Sequence, residues 1–135
     1  MLQFGQKANE AQLGNLFQKL VVDADNHATA TYTVPDNKRI LVFEINPTAG
    51  NFTATFPHAS KFPNSFYTVV ASIKGRAAAA SFIMAIPGNH AVGQTTVDTV
   101  TRAGGTNTAQ YTKYKFILFS DGYNWHVSES AAATV

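Results

Sequence analysis

The 135-residue chain has no cysteine, which removes disulfides, thiolate metal sites and a cysteine nucleophile from consideration. Charge is scarce as well: 13% of residues are Asp, Glu, Lys or Arg, about half the roughly 25% usual for a soluble domain. Ten basic and eight acidic residues are scattered along the chain, with Lys38-Arg39 the one adjacent pair, and leave a formal net charge of +2. No Lys/Arg run or stripe occurs, so the electrostatic footprint of a nucleic-acid binder is missing. No apolar run is long enough to span a bilayer, and "MLQFGQKANEAQLGNLFQKL" at the start lacks the apolar core of a signal peptide. The expectation is a soluble, unexported domain with neither a nucleic-acid nor a membrane partner.

Catalytic signatures are also lacking. There is no G-x-S-x-G elbow, and "GRAAAA" does not have the spacing of a phosphate-binding loop. His27, His58, His90 and His126 stand far apart with no H-x-H or H-E-x-x-H spacing, so no metal site is expected. The acids are Glu10, Asp23, Asp25, Asp36, Glu44, Asp98, Asp121 and Glu129; Asp23 and Asp25 read as a loop pair, and Glu44 as inward on a central strand. No paired-carboxylate arrangement emerges from them. The expectation is a protein that is not an enzyme and uses no cofactor.

What the chain does have is apolar and aromatic content, 45% and 12%, distributed with a strand period. Residues 9 to 20 alone carry a helical stripe, with Leu13, Leu16, Phe17 and Leu20 at i, i+3, i+4 and i+7. Asn9 is placed to cap it, while Gly14 costs about 1 kcal/mol relative to Ala, so this helix needs a surface to lie on. From Ala28 the period becomes two. "ATATYTV" sets Tyr32 and Val34 against three threonines, and "NFTATF" sets Phe52, Ala54 and Phe56 against Thr53 and Thr55 until Pro57 ends it. "RILVFEI" is apolar on both faces, as in a central strand covered on both sides. "FYTVVASI", "SFIMAI", "TTVDTVT", "YTKYKFILF" and "YNWHV" follow as strands, with "RAGGTNTAQ" as a loop. Asp121-Gly122 marks a tight hairpin, because glycine accepts the positive φ that such a turn needs.

These patterns predict an all-β fold: an antiparallel β-sandwich, with the jelly roll as one form of it and a closed barrel as the alternative. The expected division is a short N-terminal helix or arm over residues 1–22 and a β-sandwich domain over residues 23–135. Tyr123 and Trp125 share a parity, so they either close the end of the core or form an exposed stacking platform; the core is the stronger expectation.

The succession "FTATFPHAS", "YTVVASIKG", "SFIMAIPGNHAVGQT" and "YKFILFSDGYNWHVSES" resembles the small β domains of tailed-bacteriophage structural proteins, of the head decoration or cement type and the fibre type. Phe56-Pro57 takes the place of a Leu-Pro strand end, and Asp121-Gly122 with Asn124-Trp125 matches a closing hairpin. The resemblance spans about residues 50 to 130, and "IPGNHAVGQT" departs from it by lacking an acidic residue. It implies a virion protein on the outer surface of the capsid, assembled in the host cytoplasm, whose partners are the major capsid protein and copies of itself, as a homotrimer. Leu13, Leu16, Phe17 and Leu20 are then the candidate anchors of the arm on the shell. The alternative is a tail- or head-fibre tip that binds receptor or glycan through Tyr123 and Trp125.

Overall fold

The computed structural model describes residues 17–22, 31–46, 51–75, 81–88, 99–130 and 133–134, with the backbone alone for 20–22 and 134. Among the described residues there are ten strands and one short 3-10 turn. Six strands form sheet A: β1 (Phe17–Val22), β3 (Ile40–Ile45), β5 (Ser65–Lys74), β8 (Tyr111–Ser120), β9 (Trp125–Glu129) and β10 (Ala133–Thr134). Sheet B contains β2 (Thr31–Thr33), β4 (Phe52–Thr55), β6 (Ser81–Ala85) and β7 (Thr99–Ala103). The 3-10 turn, Ala59–Lys61, bridges β4 and β5.

The all-β sandwich expected from the two-residue period is what the structure shows, but its strand directions are mixed. As far as β6 each strand enters the sheet opposite its predecessor, so β1-β3-β5 and β2-β4-β6 are two interleaved parallel triples. A tight hairpin cannot join parallel neighbours; crossing to the other sheet supplies the longer connection they need. Antiparallel pairing begins only with β7 on β6 and β8 on β5, followed by β9 and β10 on β8.

The interior is built by alternation. Leu41, Phe43 and Ile45 of β3, Tyr67, Val69, Ala71 and Ile73 of β5, and Phe116 and Leu118 of β8 are buried from sheet A. Phe52, Ala54 and Phe56 of the β4 segment and Phe82, Met84 and Ile86 of the β6 segment meet them from sheet B. Phe43 sits at the centre, with ring centroids 5.7 Å from Phe52 and 5.3 Å from Phe82. At one end Tyr67 packs edge-on to Phe56 at 5.2 Å and lies 5.5 Å from Trp125. Burial pushes the Tyr67 phenol above its usual range, an effect that the nearby Arg39 guanidinium partly offsets. Threonines 31, 33 and 55 face outward on sheet B, as the alternation requires.

The N-terminal expectation changes at residues 17–20. Instead of ending a helix, Phe17–Val22 pairs with the full length of β3, from Phe17 opposite Ile40 to Val22 opposite Ile45. Satisfying the backbone groups of the β3 edge outweighs a weak local helical preference, and Val21 and Val22 are β-formers. The last six residues of the expected 1–22 arm therefore belong to the sandwich, while residues 9–16 lie outside the described residues.

The open edges are joined by a side-chain clasp. Arg102 of β7 donates Nε to Glu129 Oε1 of β9 at 2.7 Å and Nη2 to Oε2, linking the edge of sheet B to that of sheet A. The forked hydrogen bond from Arg102 holds the Glu129 carboxyl below its usual range, and in return raises the guanidinium. Beside it Tyr114 Oη donates to the Ala103 carbonyl at 2.8 Å. No helix among the described residues is long and apolar enough to cross a membrane.

Candidate functional site

Two features stand apart from the core: the closing hairpin and the outer face of sheet A. The hairpin between β8 and β9 has a four-residue loop, Asp121 to Asn124, in which only Gly122 has positive φ, at 92°. A two-residue type I′ turn would need positive φ at both centres, so the Asp-Gly pair works differently here. Asp121 Oδ1 accepts the backbone N–H groups of Tyr123 and Asn124, both at 2.8 Å, while Oδ2 lies 2.7 Å from His126 Nε2. The His126 contact, then the Asn124 and Tyr123 N–H groups, lower the Asp121 carboxyl to about 2. Ser120 precedes the loop and is fully buried. Its hydroxyl donates to the Ala59 carbonyl at 2.6 Å and accepts the Gly122 N–H at 3.2 Å. Trp125 Nε1 donates to the Pro57 carbonyl at 3.0 Å. Those two bonds fasten the hairpin to the β4–β5 connection.

Trp125 is 6% exposed and Tyr123 67%, so the pair forms no stacking platform: the indole closes the core, and Tyr123 stands in the loop ahead of β9. His126 faces away from Trp125, toward Asp121. His58 caps the 3-10 turn through its contact with Ser60, and His27 and His90 lie outside the described residues. Among the described residues no cluster of three or more His, Asp and Glu could hold a metal.

The outer face of sheet A has an apolar half and a charged half. Register places Phe66 beside Phe119 and His126 in one row, and Phe17, Ile40, Thr68, Ile117 and Ser128 in the next. Phe17, Phe66, Ile117 and Phe119 are 45%, 57%, 45% and 40% exposed. The third row runs Lys19, Val42, Val70, Lys115, and the fourth contains Glu44, Ser72 and Lys113, with Lys74 and Tyr111 beyond. Glu44 thus lies on the outer face, half-exposed and 2.9 Å from Lys19, rather than inward as its sequence context suggests. Glu44, Ser72, Tyr111 and Lys113 line a shallow depression of about 260 Å³.

Of the four candidate arm anchors, Phe17 is exposed on this face, and Leu20 lies in β1 with its backbone opposite Phe43. Leu13 and Leu16 lie outside the described residues. A strand's two-residue period over 17–22 breaks up the helical grouping of these four. Sequence reasoning missed Phe66, Ile117 and Phe119; the signal available was that "FYTVVASI" and "KFILF" are apolar at both parities. No family model matches the chain, and neither does any curated protein or solved structure.

Proposed function

We propose that this protein is a structural assembly component of a tailed-bacteriophage virion, a capsid decoration or cement protein that binds the head shell as an oligomer and stabilises it. The single observation that carries the reading is the outer face of sheet A, where four large apolar side chains stand exposed in adjacent rows. These four alone present roughly 350 Å² of apolar surface, and patches of that size on soluble domains are commonly functional. The resemblance of about residues 50–130 to small β domains of tailed-bacteriophage structural proteins, of head decoration or cement type and fibre type, gives the surface its setting. Function then consists of burying this face and its lysine-rich border at seams between subunits, with the major capsid protein and further copies of the chain as partners. A fibre-tip role keeps Tyr123 as an exposed aromatic but loses Trp125 to the core.

Co-sedimentation of the full chain with empty heads of the phage that encodes it tests the reading. Wild-type protein should pellet with heads and raise their thermal disruption temperature, and Phe66→Asp should weaken both at least tenfold. Folded wild-type protein that stays in the supernatant at micromolar concentrations would overturn the role.

A further inference from the structure

We propose that the outer face of sheet A is the contact between two copies of this chain, packed face to face about a two-fold axis that lies in the face and runs across the strands. The contact specifies the oligomeric part of the proposed function, as a dimer in place of the trimer that the resemblance implies, with the lysine-rich border beyond the overlap left to meet the shell; it rests on that part alone, since it needs no shell.

Area comes first. A standard stable interface buries about 800 Å² per partner, somewhat more than half of it apolar. The exposed parts of Phe17, Phe66, Ile117 and Phe119 supply most of that apolar share, and half-buried Ile40 between Phe17 and Ile117, with Val42 and Val70 in the adjoining row, adds to it. Sheet character points the same way. Parallel strands apolar on both faces belong to sheets covered on both sides, and sheet B covers only one face of β3 and β5.

Charge then chooses the orientation. Lys19, Lys74, Lys113 and Lys115 share the face with one carboxylate, Glu44, and all lie toward the same end. An axis along the strands would set each lysine row on its like, a repulsion that interfaces avoid. An axis across the strands between Ile117 and Phe119 sets Ile117 of one copy opposite Phe119 of the other, and Thr68 opposite Phe66. Lys115 then moves toward the end where Asp121 of the second copy stands ionised, and Lys113 projects past the overlap. The same patch serves both copies, as a closed two-fold contact requires.

The absence of cysteine makes this directly testable, because any introduced cysteine is the sole thiol in the chain. Across the axis, two copies of residue 119 or of residue 117 are offset by roughly 7 Å along the strands, whereas two copies of residue 113 are roughly 34 Å apart. Phe119→Cys, Ile117→Cys and Lys113→Cys are each treated, in the shell-free full chain, with a short-spacer bis-maleimide. Crosslinked dimer at 119 or 117 at least tenfold above that at 113, in proteins melting within a few degrees of wild type, supports the contact. Equal yields, a stronger yield at 113, or no dimer at any position overturns it. Co-sedimentation with heads reads the shell role separately, so failure of one is distinguishable from failure of the other.

Discussion

Ser120→Ala removes one oxygen atom and tests how the C-terminal hairpin is held. The hydroxyl is fully buried, donating to the Ala59 carbonyl at 2.6 Å and accepting from the Gly122 N–H at 3.2 Å. Alanine fits the space but provides neither bond, so the Ala59 carbonyl is left with the Phe62 N–H alone and the Gly122 N–H loses its partner. At about 1 kcal/mol for each bond the expected loss is about 2 kcal/mol. With a urea slope of about 1.5 kcal/mol per M, the midpoint falls by about 1.3 M. The thermal midpoint falls by about 8 °C at roughly 4 °C per kcal/mol. The single Trp125, next to Ser120 in the ladder, reports the transition by fluorescence, and acrylamide should quench it more readily in the variant before unfolding. Ser128→Ala, on the exposed face of β9, is the matched control and should stay within about 0.5 kcal/mol of wild type. A Ser120→Ala midpoint within the error of that control would refute the view that this hydroxyl fastens the hairpin to the core.

Three further expectations concern the Asp121 loop, the Arg102–Glu129 clasp and the close approach at Gly75. Asp121, lowered to about 2, is more acidic folded than unfolded, so its stabilisation is fully present above the ordinary carboxylate value of 3.8 and is lost as pH falls toward 2. An NMR titration of its carboxyl should give a midpoint near 2, and a midpoint near 3.8 would contradict the contacts described. Arg102→Ala should cost about 0.5–1 kcal/mol, a small figure because both partners are partly exposed and screened; Glu129→Gln should not add to it in a double-mutant cycle. Gly75→Ala would place a Cβ 2.0 Å from the Asn107 carbonyl oxygen, so urea denaturation should show a loss of about 2–3 kcal/mol, while Gly105→Ala, whose Cβ would meet only Thr112 Oγ1 at an ordinary 3.8 Å, should do far less.

The fold was legible where one face of a strand is polar. "NFTATF" and "SFIMAI" declare their buried residues by alternation, and Phe52, Ala54, Phe56, Phe82, Met84 and Ile86 are all in the core. Strand direction was not legible, because a two-residue period is the same in parallel and antiparallel ladders; only the crossings between sheets decide it. Where both parities are apolar, as in "RILVFEI", composition cannot say which side faces in, so Glu44 reads as inward although it stands on the outer face beside Lys19. The same ambiguity concealed the outer face, since Ile117 and Phe119 read as well for the core as Phe116 and Leu118 do. Phe17 and Leu20 end a helical stripe whose competitor, the β3 edge, lies about twenty residues away and becomes visible only in the folded chain. Arg102 and Glu129, 27 residues apart, had no local signal at all.

Light scattering of the full chain in solution, from about 1 to 100 µM, bears most directly on the claim that this sandwich exists to assemble. The outer face of sheet A predicts a native mass of twice the 14.5 kDa chain, which Phe119→Glu returns to the single-chain value with an unchanged far-UV spectrum. A wild-type mass of 14.5 kDa across the whole range would contradict it.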